Sequence, residues 1–375
     1  MATIASASFS AGQPAVAPAK CEETTGQRWG SLDSARFLAA VGVIWLHVCQ
    51  LPEIVSGSAA GRFAVPFFSA TAAYLLVGSL LRSKNQPSVR TFVTTKLGRL
   101  YPPFLAWSLI YVLLNTLHDW WVGGAIHGNQ AATAANDPGR GLLFWGRDLW
   151  LFGGDYHLWF LPFILATSLL LYPVVCFSRK HPEQRLSLAM AAFLLGALLA
   201  TVLSMTPEID HPLAYMLMAL PSLLWGSALA WLHRPASAEG ISRTQRKSIA
   251  NRSPASLSTS SLVGLLLLFS TALWSILQLG RSVFFESAAG TMILIVALHC
   301  PASLRFPRLA GWGRVSLGIY CSHLLFLKAL QPLIGPPAWS NPWIGAIVVA
   351  TLVTVFATSI SLLLARSRAT RWLVL

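Results

Sequence analysis

Arg36 and His47 stand eleven residues apart in "SLDSARFLAAVGVIWLHV", residues 31–48, a stretch otherwise almost free of charge. At about 100° per residue they fall on one helix face, ~16 Å apart along its axis. Their chemistries differ. An imidazole, with an unperturbed pKa of about 6.5, takes and gives protons near neutral pH. A guanidinium is a fixed cation whose planar fork suits phosphate and carboxylate. Plain roles are open to each alone: Arg36 can snorkel to headgroups, and His47 can pack near an interface. The shared face, in a helix with no other basic residue, favours function.

Three further groups carry chemistry. Lys96 and Arg99 pair in "KLGR" and are suited either to an anion or to anchoring at the cytoplasmic surface. Asp155, His157 and Trp159 lie together in "DYHLW". There a carboxylate can orient an imidazole and an indole can stack on a sugar, or all three can belong to an interfacial aromatic belt. Ser316, Tyr320 and His323 fall on one side of a late helix, a pattern expected for helix-to-helix hydrogen bonding. The cysteines, Cys21, Cys49, Cys176, Cys300 and Cys321, form no C-x-x-C pair, so neither a disulfide framework nor a metal site is expected. No G-x-S-x-G stretch is present, which favours direct transfer chemistry over a covalent serine intermediate.

The elements that must position these residues follow from composition. The 375 residues are 55% hydrophobic and only 11% charged, against about 25% charged in a soluble domain. The mean hydropathy is +0.60. An all-α, polytopic membrane helical bundle is expected. Ten apolar stretches are long enough to span: 35–52, 63–82, 100–117, 158–178, 186–204, 213–232, 259–279, 283–300, 314–330 and 342–364. The net charge of +14 is concentrated in alternate connections, beginning with "LRSKNQPSVRTFVTTKLGR". The positive-inside rule then puts both termini in the cytoplasm. This pattern also excludes nucleic acid as a partner, because no basic surface stands clear of the spans. Residues 1–30, rich in Ala, Ser, Pro and Thr, lack an apolar core and read as a disordered cytoplasmic tail. Residues 31–366 read as the membrane domain and 367–375 as a second cytoplasmic tail.

The motifs resemble the acyltransferase-3 family of integral membrane acyltransferases. The resemblance rests on "SLD" followed by Arg36-x10-His47, "VPFFSATAAYLL" at 65–76 and "KLGRLYPPFLAWSLIYVLL" at 96–114. It continues in "HLWFLPFIL" at 157–165 and "VSLGIYCSHLLF" at 315–326, in the family's order. Lys96 stands where the family often has arginine, and Ala72-Ala73 where Ser-Gly is common. The resemblance implies transfer of an acyl group, most often acetyl from acetyl-CoA, to a hydroxyl of a cell-envelope carbohydrate or lipid-linked sugar. It implies an inner (plasma) membrane location, membrane lipids as surroundings, and acyl-CoA as a substrate rather than a resident cofactor. Under it, His47 is the candidate base and Arg36 its catalytic partner. Arg36, Lys96 and Arg99 form the candidate donor mouth, and Asp155, His157 and Trp159 the candidate acceptor contacts. Two other classes compete. A transporter or flippase would show paired repeats or matching broken helices, and neither is found. A lipid-linked-sugar glycosyltransferase would carry acids in the first outer connection, which has only Glu53.

Overall fold

The computed structural model describes residues 30–49, 58–83, 85–126, 149–206, 212–233, 282–299, 306–330 and 341–374. Among them every regular element is a helix. Apart from single turns, these are in chain order α1 (Gly30–Val48), α2 (Ala64–Arg82), α3 (Val89–Ile126), α4 (Phe160–Lys180), α5 (Arg185–Met205) and α6 (Pro212–Leu232). They continue as α7 (Val283–His299), α8 (Pro307–Gly313), α9 (Ser316–Leu330) and α10 (Pro342–Arg366). Nine of the ten expected spans coincide with helices; the stretch 259–279 lies outside the described residues, as do residues 1–29.

Among the described residues seven segments are long and apolar enough to cross a bilayer; α7 and α9 are shorter apolar helices. At 1.5 Å per residue, the 15 residues of α9 rise only ~22 Å. Hydrocarbon is about 30 Å thick, so the described part of α9 is shorter than the core it would cross. α8 precedes α9 and packs on α1. The third helix is far longer than the apolar stretch from residue 100 suggested. It begins at Val89 and runs through Pro102 and Pro103 without a break. Its first turns carry the basic residues Arg90, Lys96 and Arg99, which hydropathy excludes from a span but helix geometry accepts.

Small residues let the helices touch, as expected where lipid gives no hydrophobic drive between helices. A β-carbon added at Gly226 of α6 would come within 2.1 Å of the Ala70 carbonyl oxygen of α2. One added at Gly290 of α7 would lie 2.5 Å from the Phe67 amide nitrogen, also on α2. α2 is therefore packed backbone to backbone against α6 and α7. α1 is central: it touches α2, α7, α8, α9 and α10. The segment after α10 turns back into the bundle. The Leu373 carbonyl accepts a 3.1 Å hydrogen bond from the Trp107 indole, and the Val374 side chain is buried against Gly318.

Candidate active site

Three imidazoles from three separate elements meet inside the bundle. His47 is in the last turn of α1. His323 is at the middle of α9. His157 comes from a single 3-10 turn, Tyr156–Trp159, just before α4. The rings of His47 and His323 are stacked, with centroids 5.1 Å apart and planes 27° apart. The rings of His157 and His323 meet edge to face at 5.2 Å. His157 and His323 are fully buried, whereas His47 is only partly so. One pair of rings is thus stacked and the other is edge-on. Among the described residues no three His, Cys, Asp or Glu side chains converge as metal ligands would.

The backbone before α4 explains how His157 reaches this place. Gly153 has φ +90°, a conformation that L side chains rarely adopt. A β-carbon at the next residue, Gly154, would lie 2.1 Å from the Ser108 carbonyl of α3. The pair lets the chain lie flat against α3 and turn Asp155 and His157 inward. Asp155 Oδ1 is then 3.6 Å from His157 Nδ1, and Oδ2 pairs with Lys328 of α9. Lys328 also donates to Asn115 Oδ1 at 3.0 Å. Burial acts to raise the Asp155 pKa, but hydrogen bonding and charge from His157 and Lys328 prevail and hold it below its ordinary value.

Two tyrosines lock this arrangement. The Tyr111 hydroxyl of α3 donates to the Cys321 carbonyl at 2.7 Å and accepts from the Leu325 amide at 3.1 Å. Those are the two groups that an α-helix joins from i to i−4, so the hydroxyl stitches α3 into the ladder of α9. His157 Nε2 approaches the same Cys321 carbonyl at 3.3 Å and can only donate to it. The Tyr320 hydroxyl donates to the His157 carbonyl. His157 is thus held by its ring and by its backbone.

Arg36 lies well back along α1, its Nη1 3.6 Å from Asp33 Oδ1 and its side chain 36% exposed. Arg99 is within electrostatic reach of both Arg36 and Lys96. Lys96 sits over the Phe92 ring, 5.7 Å from its centroid. The three cations named from the sequence therefore share one electrostatic field at one end of α1. Trp159 goes elsewhere. Its ring is buried and stacks on Tyr215 of α6 at 6.3 Å, and it has no ring contact with the imidazoles among the described residues.

His323, Tyr111, Asn115 and Lys328 were not picked out as site residues by sequence reasoning. Tyr111 and Asn115 are i, i+4 on α3, a polar stripe on an apolar helix. That spacing was the available signal.

These features define a polytopic helical membrane protein with a buried cluster of three imidazoles and, further back along α1, a group of cations. A family profile described as an acyltransferase domain matches residues 29–366. The chain belongs to the acyltransferase-3 family and is a membrane acyltransferase. No curated protein and no solved structure matches it.

Proposed function

We propose that this protein transfers an acyl group, acetyl in the simplest case, from acyl-CoA to a hydroxyl of a cell-envelope carbohydrate or lipid-linked sugar. The protein sits in the inner (plasma) membrane with both termini cytoplasmic. The observation that carries this reading is α1 itself. It holds Arg36 in a cluster of cations at one end and His47 against two more imidazoles at the other. The span between them, ~16 Å by helical rise, suits a donor whose phosphates rest at one end and whose thioester hangs from a long flexible arm.

In this reading Arg36, Lys96 and Arg99 receive the donor's phosphates. His47 takes the proton of the acceptor hydroxyl. The hydroxyl oxygen bonds to the thioester carbon, the C–S bond breaks, and the proton returns from His47 to the coenzyme sulfur. General-base help of this kind is worth ~10²–10⁴ in rate. Asp155 and His157 shape the acceptor side, while Trp159, stacked on Tyr215, stands apart from them. Coenzyme A arrives and leaves with each turnover and is not a resident group.

Mass spectrometry of envelope carbohydrate from cells with and without the gene tests this. Ester-linked acyl groups that depend on the gene, and that take label from acyl-CoA, are expected. Identical carbohydrate in both cell types would refute it.

A further inference from the structure

We infer that His323 is a substrate-recognition residue whose Nε2 accepts a hydrogen bond from an O–H or N–H group of a substrate. The inference rests on the acyl-transfer reading of the site. It starts from the ring's two nitrogens. Nδ1 is 2.6 Å from the Tyr320 carbonyl oxygen. A carbonyl oxygen only accepts, so Nδ1 must carry the hydrogen. The ring is enclosed between two other imidazoles, with no acid against it among the described residues, so it is neutral, and its one hydrogen on Nδ1 leaves Nε2 with a lone pair. Nε2 is buried and has no hydrogen-bond partner among the described residues, although the residue itself is fully enclosed.

An unsatisfied buried acceptor is costly and uncommon. His323 occupies the middle of the imidazole cluster, with His47 on one ring face and the edge of His157 against it. His157 does not fill the need, because its Nε2 is directed at the Cys321 carbonyl and its Nδ1 at Asp155. No donor among the described residues fills the need; a donor brought by a substrate does, and His47, the least buried of the three rings, marks the side from which it comes. In acyl transfer two groups near the reacting centre carry such a hydrogen. One is a hydroxyl of the carbohydrate acceptor. The other is an amide N–H of the pantetheine arm of the donor. The shared chemistry is a neutral hydrogen-bond donor held against a lone pair of defined direction. A site built this way rejects ligands that lack the donor more strongly than an apolar pocket rejects a methylene.

The test uses full-length protein in membranes, acetyl-CoA, and envelope polysaccharide extracted from cells that lack the gene. Two variants remove the Nε2 lone pair in different ways. His323→Phe keeps an aromatic face for His47 but loses the bond to Tyr320. His323→Asn keeps a donor for the Tyr320 carbonyl but loses the ring. Both are expected to fold and to raise KM for the same one substrate by about 10- to 100-fold. A raised KM for polysaccharide identifies the acceptor hydroxyl, and a raised KM for acetyl-CoA identifies the pantetheine amide. Unchanged KM values for both substrates in either folded variant would overturn the inference and assign Nε2 to an internal water. Opposite behaviour of the two variants would also overturn it, since it would trace the effect to the ring or to the Tyr320 bond. Wild-type transfer in the same membranes is the separate control: its absence would refute the acyl-transfer reading itself.

Discussion

Tyr111→Phe removes one oxygen atom and leaves the ring in place. Tyr111 is 1% exposed, and its hydroxyl makes two hydrogen bonds to backbone groups of α9, at 2.7 Å to Cys321 and 3.1 Å to Leu325. Each such bond contributes about 1 kcal/mol net, so the pair contributes about 2 kcal/mol. Part of that is recoverable, because both groups lie in the continuous helix α9 and have each other as i, i−4 partners. The expected cost is therefore about 1–2 kcal/mol of stability. Activity should fall by about tenfold or less. The loss arises because His157 shares the Cys321 carbonyl and small displacements of reacting groups slow transfer. It is limited because Asp155 and Tyr320 still hold His157. Thermal unfolding of the purified protein in detergent, together with acetyl transfer per folded molecule, measures both effects. A variant within ~0.5 kcal/mol of wild type and fully active would show that the hydroxyl does not tie α3 to the imidazole cluster.

Other substitutions probe other parts of the account. Gly226→Ala should lower the yield of folded protein, at a cost of at least about 1–3 kcal/mol, because the new methyl meets the Ala70 carbonyl. Gly98→Ala, with nothing within 4 Å of the added carbon, should be neutral or slightly stabilising in the same fluorescence-detected size-exclusion assay. Lys328→Met leaves the buried Asp155 carboxylate without its cation and should cost about 1–3 kcal/mol in detergent unfolding; adding Asp155→Asn should restore part of that loss. Arg99→Ala should weaken acetyl-CoA binding by about tenfold and leave acceptor KM unchanged, as read by titration of the donor onto membranes. An unchanged donor affinity would reduce Arg99 to an anchor at the cytoplasmic surface.

The spans were legible because their signal is local. Twenty apolar residues and a basic connection are read without knowing what lies next to them. The placement of Arg36 and His47 on one face was legible for the same reason, since helical periodicity alone supplies it. What meets His47 was not. His323 follows it by 276 positions in the chain, and nothing in either helix specifies the other's ring. The pattern Ser316, Tyr320, His323 reads as polar contacts between helices, and part of that is true: the Tyr320 hydroxyl binds the His157 carbonyl. The free lone pair on His323 becomes visible only once the Tyr320 carbonyl is seen to occupy its other nitrogen. Asp155 and His157 were placed correctly beside each other, but their sequence neighbours could not reveal Lys328 as the balancing charge. Trp159 shows the opposite failure. Its closeness to His157 in sequence suggested a common site, but the switch from the 3-10 turn into α4 swings its ring to Tyr215. The start of α3 was misjudged because hydropathy marks lipid contact, whereas the helix continues for as long as its backbone hydrogen bonds do.

The central claim is that His47 handles the proton of the acceptor hydroxyl. Acyl transfer from labelled acetyl-CoA to envelope carbohydrate, in membranes carrying His47→Ala and normalised to folded protein, tests it most directly. His47 is partly exposed at the end of α1, so its truncation should leave insertion and folding intact. Transfer should fall by ~10²–10⁴-fold while donor binding at the Arg36, Lys96 and Arg99 end is retained. Transfer within a few-fold of wild type by the folded variant would contradict the account and move the search for the base to His323 and to the Asp155–His157 pair.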